Sequence, residues 1–171
     1  MGDSTKVHLG SARIEFGGED LGYTSGGVTV EYKRESYDVE VDQLNTVIDK
    51  IVTKEVLTVK APLAEANLKR LATFFNGAEL NNVGDKYRLS LTGEAKGSLL
   101  KLAKTLIVTP EGGTANDIIT LWHAIPDPEF NLAYEKNKIR VYNVTFTAVP
   151  GKDAKGKQQL VDFGDTTVPK L

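Results

Sequence analysis

The stretch VTVEYKRESYDVEVD, residues 28–42, constrains the fold most, because its alternation of apolar and polar residues changes parity part-way along. Val28, Val30 and Tyr32 share one face of an extended strand, and Tyr37, Val39 and Val41 then take up the odd positions. Successive side chains of a strand point to opposite faces, so one regular ladder does not bury both sets. A bulge or tight bend at residues 34–36 is expected to re-aim the segment beyond it. Gln43, Leu44 and Asn45 read as a turn, residues 46–51 as a returning strand and residues 54–60 as another.

The spacing predicts a helix over residues 62–76. Pro62 suits a first helical position, where its missing N–H would lack a partner anyway, and Asn76–Gly77 suits a left-handed cap. Ala64, Leu68, Leu71, Ala72 and Phe75 fall on one stripe, with Leu68, Leu71 and Phe75 as its packing residues. Glu65, Asn67, Lys69 and Arg70 stay on the wet side.

Elsewhere the pattern is that of strands. Residues 12–16 (ARIEF) alternate before Gly17–Gly18, and Tyr87, Leu89 and Leu91 alternate after an expected loop at Asn81–Asn82. Residues 99–108 suit helix at first and strand in their second half. Residues 118–124 read as strand, Pro126-Asp127-Pro128 as a breaker, and residues 130–134 as a short strand. The clearest strand is IRVYNVTFTAV, residues 139–149, with Tyr142, Val144, Phe146 and Ala148 as its core face. Beyond Pro150 the chain turns Lys- and Gly-rich, as a terminal arm over residues 150–171 would. These elements sum to a mainly antiparallel β-sandwich or barrel with one flanking helix, in a single domain of 171 residues.

Charge and composition narrow the function. A net charge of -2 and a pI near 5.7 are the wrong sign for gripping nucleic acid by its phosphates. With no cysteine there is no disulfide, thiolate nucleophile or cysteine metal site. MGDSTKVHLG has no apolar leader core, and the longest aliphatic run, Leu106-Ile107-Val108, is far too short to span a bilayer. The expectation is a protein made in the cytoplasm without a membrane partner.

No motif carries convincing chemistry. GKDAKGK (residues 151–157) has phosphate-loop spacing, but Gln158 stands where a magnesium-binding Ser or Thr belongs. Asp38, Glu40 and Asp42 repeat at ~6.7 Å along one strand face, whereas a cation needs its oxygens gathered around one point. A wet acidic face is the plainer reading. His8 and His123 show no Ser or Asp partner and read as structural or surface residues. Trp122, Tyr134 and Tyr142 suggest a sugar platform, yet strand aromatics usually serve cores and interfaces. The chain reads as neither an enzyme nor a cofactor binder.

Taken in order, GGVTVEY, YDVEVDQLNTVIDKIVTKEVLTVKAPLAEANLKRL and RVYNVTFTAVPGKD resemble the major tail tube protein of long, non-contractile-tailed bacteriophages. The resemblance covers roughly residues 26–153 and lies in the order of strands and helix. It implies a structural protein of the virion tail, made in the host cytoplasm. Its copies would form hexameric rings that stack into the conduit for genome ejection. Four strands from each of six copies, at ~4.8 Å per strand and a tilt near ~40°, would close a barrel about 48 Å across, wide enough for duplex DNA. Its partners would be itself, other tail proteins at the tube ends, and DNA in transit without specific binding. The hairpin near residues 35–54 would reach neighbouring subunits or rings. Glu31, Asp38, Glu40, Asp42 and Asp49 would line the lumen or meet the next ring. The tube protein of type VI secretion and a monomeric carbohydrate-binding β-sandwich are the alternatives.

Overall fold

The computed structural model describes residues 10–44, 46–65, 67–129, 131–152 and 155–169. Expectations placed on His8, Asn45, Phe130, Asp153 and Ala154 lie outside them. The described fold is mainly β, with one short flanking helix and several antiparallel sheets.

Strand β1 (Ala12–Phe16) turns through Gly17 and Gly18 into β2 (Glu19–Asp20). Both glycines have positive φ, 61° and 86°, as a two-residue hairpin turn requires. Next comes a long hairpin, β3 (Thr29–Glu40) returning as β4 (Val47–Leu63). After helix α1 (Leu68–Ala72) comes a hairpin of β5 (Ala78–Val83) and β6 (Lys86–Leu91), so Asn81 and Asn82 lie in strand and Gly84–Asp85 makes the turn. A 3-10 turn at Leu99–Leu102 leads into β7 (Lys104–Pro110), matching the mixed pattern of that segment. β8 (Ile119–Glu129) and β9 (Tyr142–Val149) complete the large sheet. The tail contributes the β10 (Gly151–Lys152) and β11 (Gln158–Gln159) pair, then β12 (Val161–Phe163), which docks on β8.

The large sheet runs β2-β1-β7-β8-β9-β4-β3 and is antiparallel throughout, with β12 beside β8. It is strongly curled. Were it flat, β1 and β9 would stand ~14 Å apart across two intervening strands. Instead the rings of Phe16 and Phe146 lie 5.1 Å apart. Phe74, from the turn after α1, closes a trio with them at 5.9 and 5.8 Å. The concave face buries Ile14, Leu57, Val59, Leu106, Leu121 and Val144 around these rings. The segment after β2 touches the far side through an isolated bridge of Thr24 with Leu63, flanked by Ala64 N–H to Tyr23 O (2.8 Å) and Ser25 N–H to Pro62 O (2.9 Å). That contact does not extend into a ladder, so the sheet is sandwich-like and no closed barrel forms among the described residues.

Two expectations fail for one physical reason. Pro62 does not open a helix but sits inside β4 opposite Asn143, and Pro126 and Pro128 lie inside β8 rather than breaking it. In each case the neighbour on the other side has already ended: β3 pairs β4 no further than Lys60, and β7 pairs β8 no further than Ala124. A proline is tolerated where no neighbouring strand needs its N–H, and beyond Lys60 the isolated Thr24–Leu63 bridge on that side engages Pro62 only through its carbonyl. The helix starts later, at Asn67, whose side-chain oxygen accepts the Lys69 N–H at 3.0 Å as an N-cap. The shift changes which residues face inward. Leu71 is buried and Phe75 half-buried against the core, but Leu68 is 39% exposed and Phe74 is the residue that fills the centre. Residues 131–134 form no strand.

Candidate interaction surfaces

The outer half of the β3–β4 hairpin extends beyond the core as a two-stranded arm. Its register shifts between Glu35 and Ser36, within the segment where the parity change places a bend, but the extra residue is Thr53 on the returning strand. A second shift leaves Ile48 as the extra residue near the tip. Because β3 itself keeps a strict period, Tyr37 and Val39 fall on the face opposite the one that carries Tyr32 and that Val30 packs against the core. Ile51 joins them as the partner of Tyr37. Tyr37 is 65% exposed and Ile51 54%, with Ile48 and Val52 also exposed nearby. A hairpin this long, with its apolar residues wet, buries too little of its own surface to explain their presence.

The acidic residues of this region are spread along both parts of the hairpin. Glu31 lies in the body of β3, 2.8 Å from Lys33 Nζ and 3.7 Å from Lys60 Nζ. The Lys33 hydrogen bond and charge hold its carboxyl below the usual range. Asp38 pairs across the ladder with Lys50 at 3.2 Å, and Glu35 stands 3.8 Å from Lys54. The strand face that looked one-signed in sequence is thus partly neutralised by its return strand. Glu40, Asp42 and Asp49 carry no ion pair among the described residues, although Asp49 accepts the Lys50 N–H at 2.7 Å. Writing the register of β3 against β4 would have exposed these lysines from sequence alone.

On the convex side of the sheet, β3, β4 and β9 present Glu31, Lys33, Thr58, Lys60, Thr145 and Thr147, which alternate with the buried row. This face is mainly polar and partly exposed, with the half-buried Val56 and Ile125 set among the polar residues. β3 ends the sheet and pairs only with β4 among the described residues, leaving a twelve-residue edge with charges along it.

A separate polar cleft of about 400 Å³ opens beside β1, between Arg13, Asp20, Tyr23, Glu65 and Arg70. Tyr23 is 81% exposed. Asp20 accepts Gly22 N–H at 2.8 Å and Arg13 Nε at 2.6 Å, and these bonds, led by the backbone one, lower its pKa. Arg70 and Glu65 pair at 3.2 Å over Gly22, whose φ of 79° and missing Cβ leave them the space. Sequence reasoning missed this cleft, since its residues come from three segments with no local pattern.

Other expected features lie in separate places among the described residues. His123 lies in β8 against Gly151, and its Nδ1 is buried without a hydrogen-bond partner among the described residues. Trp122 donates to Asp162 at 2.6 Å, which fastens β12 to β8. Tyr134 and Tyr142 belong to different surroundings, Tyr134 exposed under Arg140 and Tyr142 packed at the core. Among the described residues no cluster of three metal-ligating side chains occurs, and no helix is long and apolar enough to cross a membrane. A scan against protein-family models found no match to this chain, and neither did a search of curated proteins.

Proposed function

We propose that this chain is a non-enzymatic structural protein that assembles with copies of itself, through rings, into a tube of the phage-tail kind that conducts DNA. The observation that carries this reading is the arm, a hairpin that leaves the core and holds Tyr37, Ile48, Ile51 and Val52 exposed, where another copy would cover them. The four adjacent strands β8-β9-β4-β3 support it further. They pack one face on the core, carry Glu31, Lys33, Thr58, Lys60, Thr145 and Thr147 on the other, and end in a free edge to which a neighbouring copy's strand would add. In this reading the polar face lines a water-filled channel and the location is the virion tail, with other tail proteins meeting the tube ends. A type VI secretion tube would use the same features.

A second reading rests on the cleft. A β-sandwich-like fold in one chain is compatible with a monomeric carbohydrate-binding module, and Tyr23 beside Arg13, Asp20, Glu65 and Arg70 offers an aromatic face with hydrogen-bonding groups. Sedimentation velocity and negative-stain microscopy on the purified chain separate the two. Rings or tubes support assembly. A monomer at all concentrations that binds glycans, and loses them with Tyr23→Ala, overturns it in favour of the second reading.

A further inference from the structure

Resting on the self-assembly reading, we infer that the arm of one copy seats on the loop at the opposite end of a second copy, residues 131–141. The two surfaces lie at opposite ends of the same strands. Pairings Thr29 with Lys60, Leu63 with Tyr142 and Glu129 with Asn143 mark one end, and Glu40 with Val47 marks the other. Eleven residue steps along β3 from Thr29 to Glu40 separate them by ~36 Å.

Their chemistry is complementary. Residues 35–54 hold five carboxylates against Lys50 and Lys54, whereas residues 131–141 hold Lys136, Lys138 and Arg140 against Glu135 alone. Glu135 is taken by Lys138 at 2.6 Å, and Arg140 lies over the Tyr134 ring at 4.9 Å. The loop also exposes apolar surface to match that of the arm, with Tyr134 77% and Ile139 68% exposed. Arm against arm brings like charges together, and loop against loop does the same. Only arm against loop joins opposite signs, and that contact is heterologous, using different patches on the two copies. Repeated with the same geometry, it leaves an arm free at one end and a loop free at the other, so a stack grows along the strand direction.

Charge swapping tests the contact. One variant carries Glu40→Lys, Asp42→Lys and Asp49→Lys; the other carries Lys136→Glu, Lys138→Glu and Arg140→Glu. All six positions are exposed or half-exposed, and thermal melts confirm that each variant is folded. By sedimentation velocity each variant alone raises the concentration for half-assembly at least about tenfold. An equimolar mixture returns toward wild-type behaviour, because each arm then meets a loop of opposite sign. Wild-type assembly together with a mixture that shows no recovery, or a loop variant that assembles normally, overturns this contact while leaving self-assembly standing. A wild-type chain that stays monomeric brings down the self-assembly reading and this inference with it.

Discussion

Replacing Tyr37 and Ile51 together by serine separates the stability of one copy from the association of many. The two side chains face each other across the arm, exposed by 65% and 54%, so little of the core depends on them. Losing an aromatic and β-branched cross-strand pair costs a folded copy only about 0.2–1 kcal/mol. If a neighbour covers them, roughly 200 Å² of mostly apolar surface leaves the water, an upper value of about 5 kcal/mol at 25 cal/mol per Å². Ordering the two side chains takes back about 1–3 kcal/mol. The remaining ~3 kcal/mol corresponds to more than about a hundredfold in the association constant. Urea denaturation followed by the fluorescence of the single tryptophan, Trp122, measures the first quantity, and sedimentation velocity measures the second. Assembly unchanged within about threefold, or a folded copy weakened by more than about 2 kcal/mol, refutes the claim that these residues serve association rather than the fold.

Within one stretch of chain, Phe74→Ala should cost about 3–5 kcal/mol, since it empties the centre of the three-ring core, whereas Leu68→Ala at 39% exposure should cost under about 1. Equal losses by denaturant titration would mean that Leu68 packs as the helical stripe predicts. Gly151→Ala places a Cβ against the His123 ring and should destabilise by about 1–3 kcal/mol, with accelerated amide exchange in β10; a neutral melt would show that the ring has room to move. Asp20 has its pKa held below 3.8, so it stabilises the fold above that pH and the contribution fades as pH falls through the folded value. The stability of Asp20→Asn should therefore fall less steeply than that of wild type between about pH 5 and 2, and parallel acid titrations would contradict the assignment.

Alternation within strands was readable from the sequence, and so β1, β6 and the buried row of β9 stand where the residues predict. The parity change at residues 34–36 pointed to the right place for the register shift, though not to the strand that carries the extra residue, because a bulge belongs to a pair and one strand alone does not say which side gains it. The prolines misled for a related reason. Whether Pro62 and Pro126 are tolerated depends on where β3 and β7 stop pairing, which is a property of neighbours remote in sequence. The acids of the arm were visible, but their cross-strand lysines required the register. The cleft at Tyr23 required the fold itself, since residues 13, 65 and 70 meet only after the sheet has curled.

The length of β4 has a mechanical consequence. One unbroken strand, Val47–Leu63, runs from the tip of the arm into the middle of the core, bonded to β3 along most of its course and to β9 from Thr58 onward. Tension applied along the arm is passed through β4 to its bonds with β9, which are loaded side by side, in shear, instead of opening one after another as a zipper. The arm is anchored like a tendon, and a pull on it is carried into Leu57, Val59 and Leu63 at the most deeply packed part of the molecule.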